Sequence, residues 1–144
     1  MITPSINRFL LIIAFTFSIN AYAGPIIKNA YIQAVPQGYE DAPAFITIKN
    51  NDRYPLYLKG VSSPISERSL LQQYQNNDGA MMLQTVTDIK IPANSTLKMQ
   101  PGDLQITLKD LYKTPKEKSK IKLILNFSNG KSITTNASVK KLNN

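Results

Sequence analysis

The 144-residue chain has no cysteine, no histidine and no tryptophan. Without thiols there is no disulfide framework, no thiolate nucleophile and no Cys-based metal site. Without imidazole the Ser-His and Cys-His nucleophile designs are excluded, and so is zinc of the ordinary kind. Most hydrolase and metalloenzyme designs fall with these residues. Carboxylate catalysis is left in principle, but the nine acids are scattered singly. The one adjacent pair, Glu40-Asp41, sits among Pro36, Gly38 and Pro43, where a solvated loop is the plainer reading. No constellation for an enzyme is present.

Acids are also few beside bases. The chain carries 17 Lys and Arg against nine acids, a net charge of +8. Seven of the lysines lie between Lys109 and Lys131. Such a cluster meets an acidic partner, lipid headgroups or nucleic acid by long-range attraction. Alternatively it is a solvated edge, since lysines keep exposed strands from pairing with neighbours. Aromatic residues are not interleaved with these lysines, as single-strand binding asks, so nucleic acid is not expected.

The opening residues have the character of a leader. One positive residue, Arg8, precedes the apolar run FLLIIAFTF and then Ala21-Tyr22-Ala23. This is the pattern of a secretory signal peptide with an A-x-A cleavage site. The apolar stretch from Phe9 to Ile19 is eleven residues, short of the roughly 20 that span a bilayer as a helix. An uncleaved anchor is the alternative. Residues 1–23 are therefore expected to be removed, leaving one domain over 24–144 with +7 after the loss of Arg8.

Across that domain the patterning is of strands. Stretches 26–35, 43–50 and 55–61 are rich in Ile, Tyr, Phe and Val and are punctuated by proline and glycine. Stretches 68–75 and 80–86 flank Asn76-Asn77-Asp78-Gly79, and short pieces near 87–91 and 96–100 flank Pro92-Ala93-Asn94. The clearest signal is KIKLILNFS, turning at Asn129-Gly130 and returning as KSITTNASV, because Asn-Gly between alternating runs marks a hairpin. No long helical period occurs. The expected fold class is all-β, an antiparallel β-sandwich. Within it PGDLQITLKDL, residues 101–111, puts Leu104, Ile106 and Leu108 on one face. Gln105 and Thr107 then lie on the other, which on a half-buried strand faces water.

The order AFITIKNND, LYLKGVSSP, an NDGAMM hairpin, IPANSTLKMQPGD, LKDL and a closing FSNG hairpin resembles the PCu(A)C-type periplasmic copper chaperones. The similarity runs from about Ile27 to Val139. It implies a cupredoxin-like Greek-key sandwich that carries one copper ion towards cytochrome oxidase. In that family Cu(I) is held by a histidine, a methionine after ten intervening residues, and a His-x-Met pair after 21 more. Laid on this chain, the resemblance places the four ligands at Gln72, Leu83, Gln105 and Thr107. The spacing is kept and every ligand type is replaced. Gln and Thr offer hard oxygens and Leu offers nothing, whereas Cu(I) prefers thioether and imidazole. Tyr31 and Gln33 stand where the family has tryptophan and arginine, and Gly102-Asp103 where it has a glycine pair.

Three methionines of the domain bear on a relocated site. Met81 and Met82 are adjacent on a strand and point to opposite faces. Met81 shares parity with Leu83 and is the residual ligand to consider first, with packing the plainer role for it and Met99 a further possibility. Met82 is expected to pack inward, and Met99 to serve the core. The resemblance thus implies a periplasmic, non-enzymatic, monomeric protein of the copper-chaperone family. Its implied partner is a periplasmic or membrane-attached protein of oxidase assembly, and copper is implied as cargo although the present donors do not suit it. The alternative is a metal-free binding module whose basic face holds a protein partner or an acidic surface. Asn94, Asn126 and Asn136 match the N-x-[ST] pattern, which matters only in a glycosylating host.

Overall fold

The structure is a computed structural model that describes Ile2 and the continuous stretch 24–141. The leader expected at 1–23 lies, Ile2 apart, outside the described residues. Ten strands follow in chain order: β1 (Ile26–Gln33), β2 (Ala42–Asn50), β3 (Leu56–Ser62), β4 (Ser66–Asn77) and β5 (Ala80–Val86), then β6 (Ile89–Ile91), β7 (Ser95–Lys98), β8 (Leu104–Leu111), β9 (Lys120–Phe127) and β10 (Ser132–Lys140). There is no helix among the described residues. Apolar residues every second position on β9 (Ile121, Leu123, Leu125, Phe127) are all buried, as alternation dictates for a sheet with one covered face.

The strands run in the order β5-β4-β8-β2-β1-β10-β9-β3-β6, with β7 on β2 beside this path. β2 pairs with β8 through Ala42–Ala44 and with β7 through Thr47–Asn50, so one long strand passes from one neighbour to another. Leu71, Ile106 and Ala44 near one end of this order share a single core with Leu58, Ile91 and Leu125 near the other. Only a sheet folded over on itself brings them together, which is the sandwich. Each fully buried aliphatic side chain of this core contributes about 1.5–3 kcal/mol relative to exposure. The pairing is not antiparallel throughout. β1 and β10 are parallel, Tyr31 beside Ser138 and Gln33 beside Lys140. The chain ends the sandwich next to where it began, and only a crossover through the whole domain allows that.

Turn chemistry fixes the hairpins. Asp78 and Gly79 both take positive φ, 51° and 87°, between paired Asn77 and Ala80. That is the two-residue turn whose twist suits a hairpin. At Asn129-Gly130 only Gly130 is left-handed (φ 78°), and the amide of Phe127 donates to the carbonyl of Lys131 at 2.9 Å. The loop is therefore three residues long, a turn closed by a glycine bulge rather than the two-residue form. Asn29 at φ 50° occupies the β-bulge in β1, between Lys28 and Tyr31.

At the far end of β2, Asn50 is 2% exposed. Its Nδ2 donates to the carbonyls of Tyr54 (2.8 Å), Ile91 (3.2 Å) and Pro92 (3.2 Å), and its Oδ1 accepts from the amide of Asp52 (3.0 Å). One side chain thus ties the 51–54 loop to β6, meeting backbone groups that burial would otherwise leave unpaired.

Candidate metal centre

β4 lies between β5 and β8, and its register decides what meets. Gln72 stands directly opposite Gln105 on one side and Thr85 on the other, while Leu70 stands opposite Thr107. Directly opposed residues of an antiparallel pair share a face, so Gln72, Gln105, Thr107 and Thr85 all project from the side of the sheet away from Ile106 and Leu71. A one-way chain of hydrogen bonds joins them. Gln105 Nε2 donates to Thr107 Oγ1 at 2.8 Å, the Thr107 hydroxyl donates to Gln72 Oε1 at 2.5 Å, and Gln72 Nε2 donates to Thr85 Oγ1 at 3.4 Å.

Gln105 and Thr107 are each only 8% exposed. The alternation of β8 is as the sequence indicates, but the outer face at this point is covered, and the two polar residues do not face water. Pro43 of β2 stands opposite Thr107. Phe45, on the same face of β2, is buried and lies 5.1 Å, ring centre to ring centre, from Tyr31. Lys140 Nζ sits 5.1 Å over that Tyr31 ring. Burial raises the Tyr31 phenol above its ordinary pKa. A buried amide and hydroxyl must find partners or cost free energy. Here they find each other.

Leu83 lies on the same face of β5, opposite Tyr74, diagonal to Gln72 and half-buried. It brings no donor. Met81 stands opposite Asn76 and is 60% exposed. It is four residues along β5 from Thr85, about 13 Å at strand rise, so it does not join the cluster. Met82 is 48% exposed, with its sulfur 3.9 Å from Asn77 Nδ2. The inward packing expected of it does not occur, because this end of the β4–β5 hairpin extends past the core. Met99 is 2% exposed and in the core, as expected. Among the described residues no three acids gather where they could hold a metal ion.

Thr85 was not singled out in the sequence, yet its signal is there. Once Asp78-Gly79 is a two-residue turn, counting outward from Asn77 and Ala80 brings Thr85 opposite Gln72. Of the seven lysines, Lys109 is ion-paired with Asp41, and Lys113, Lys116 and Lys120 line a groove just past the C-terminal end of β8.

As chemistry, this arrangement presents an amide chain, two hydroxyls and an alkyl group where a soft ion needs sulfur or imidazole. An ion entering it must first break hydrogen bonds worth about 1 kcal/mol each, net. The cluster fits a strand-to-strand clasp and does not fit Cu(I).

Comparison with known proteins places the fold. The Cu(I)-bound form of DR1885 from Deinococcus radiodurans superposes with a TM-score of 0.68 at 25% identity, covering 89% of this chain and 85% of that one. The copper-bound PCuAC domain of PmoF2 gives 0.69 at 20% identity, covering 82% and 93%. The apo PCuAC domain of PmoF1 gives 0.70 at 16%, covering 82% and 94%. No curated protein matches the chain in sequence. The family described as "Putative lipoprotein LpqE-like" matches residues 26–139, which is the whole sheet but for its last residue. The chain therefore belongs to the LpqE-like family, and its fold is that of the PCuAC domains.

Proposed function

We propose that this chain is an exported, periplasmic member of the copper-chaperone family that does not carry Cu(I) at the family's position and acts there as a metal-free binding module. The observation that carries the reading is the Gln105–Thr107–Gln72–Thr85 hydrogen-bond chain, which engages three of the four positions to which the resemblance assigns the family's ligands. Its donors are hard or absent, and a soft ion gains little from them. The role is binding, without catalysis. In the family the cargo moves towards cytochrome oxidase; a domain that keeps the sheet without the donors keeps surfaces for a periplasmic or membrane-attached assembly partner. Export rests on the leader pattern of residues 1–23 and on the family's description as lipoproteins.

Competition for Cu(I) tests this. The chain secreted to the periplasm of an expression host is titrated against a chromogenic Cu(I) chelator, beside a variant carrying Gln72→His, Leu83→Met, Gln105→His and Thr107→Met. Wild type should leave the chelator complex intact, and the quadruple variant should withdraw copper from it. Tight binding by wild type refutes the proposal, and Met81→Leu is then the first substitution for locating the donor. If neither protein binds, the contacts that orient the ligands have changed as well as the ligands.

A further inference from the structure

We propose that the groove between the β1–β2 loop and the segment following β8 binds an acidic, leucine-bearing segment of a partner protein. It is about 1110 Å³ in volume, with an apolar floor of Leu111, Pro115 and Ile121 and with Lys113, Lys116 and Lys120 around it. Pro115 and Ile121 are buried, whereas Tyr39 and Tyr112 on its walls are 60% and 69% exposed. Glu40 is the one acid in its lining.

The charge placement is what points outward. Lys59, Arg68, Lys109 and Lys141 each have a carboxylate partner within the domain. Among the described residues Lys113, Lys116 and Lys120 have none, as is also true of Lys49, Lys90 and Lys98, but only the first three border one concavity. Like charges brought together without internal partners cost folding free energy and attract an external anion. The apolar floor and two exposed phenols offer burial to an aliphatic side chain and hydrogen bonds at its edge. A flat anionic surface would reach the lysines but not the floor. An extended acidic segment with an aliphatic residue reaches both. Leu111 is six residues from Gln105 along β8, about 20 Å, so the groove is separate from the clasp, and its test is independent of the copper reading.

The probe is a fluorescein-labelled peptide in which pairs of Glu flank single Leu residues, followed by anisotropy against the secreted chain at several salt concentrations. Binding should be saturable and weaken with salt. The Lys113→Glu, Lys116→Glu, Lys120→Glu variant should lose at least about tenfold in affinity, as expected for removing complementary charge. A control with Lys49→Glu, Lys90→Glu and Lys98→Glu changes net charge equally, lies outside the groove, and should stay within about twofold. Tyr112→Ala should weaken binding without altering its salt dependence. Amide shift changes on the unsubstituted chain should centre on Tyr112 and Lys116, which needs no variant to fold. Equal losses in both triple variants, no binding of the peptide, or tighter binding of poly-glutamate, anionic vesicles or single-stranded DNA would each overturn the proposal.

Discussion

Replacing Thr107 by valine keeps the shape of the side chain and exchanges its hydroxyl for a methyl. Two hydrogen bonds go with that hydroxyl, the 2.8 Å bond from Gln105 Nε2 and the 2.5 Å bond to Gln72 Oε1. At about 1 kcal/mol net each, the loss is about 2 kcal/mol. Gln105 is 8% exposed, so its amide is poorly placed to recover a bond from water and the penalty is not refunded. The higher strand preference of valine returns a few tenths of a kcal/mol. For a domain of this size, roughly 4 °C of Tm accompany each kcal/mol, and a fall of about 7 °C is expected. Thermal unfolding followed by far-UV circular dichroism measures it. A double-mutant cycle with Gln72→Leu isolates the pair. The double variant leaves two apolar groups facing each other and should cost less than the sum of the single changes, with a coupling of about 1 kcal/mol. A Thr107→Val variant that melts within about 2 °C of wild type, or a cycle that is additive, would mean that these side chains are solvated singly and that the clasp does not exist.

Asn50→Ala should destabilise the domain by on the order of 3 kcal/mol, because it strands buried carbonyls of β6 and the 51–54 loop; the urea midpoint should fall with the m-value unchanged. Tyr31 supplies a pH dependence. Burial holds its phenol above the ordinary 10.0, so the folded chain keeps a proton that the unfolded chain gives up. This contribution is complete below the unfolded pKa and is lost as pH rises through it towards the folded one. Urea melts at about pH 9 and about pH 11 should therefore show a loss of stability at the higher pH that is smaller in Tyr31→Phe; equal losses would contradict the assignment.

Local chemistry is what a sequence writes most directly. Alternation on β9 and the Asp78-Gly79 turn are properties of neighbouring residues, and they were enough to indicate strands, a hairpin and an all-β class. The parallel meeting of β1 with β10 was not legible, since it joins residues more than a hundred positions apart and no local pattern encodes it. The same holds for burial. Gln105 and Thr107 read as solvent-facing because alternation assigns a face without saying what lies on it. Tertiary structure set Gln72 and Thr85 beside them and covered them, and so turned polar residues into partners of each other. Met82 failed in the opposite direction: its apolar side chain suggested the interior, but the hairpin carrying it extends past the core, where no second layer covers it. Periodicity along a strand decides which residues share a face, and only the packing of distant strands decides whether that face is wet.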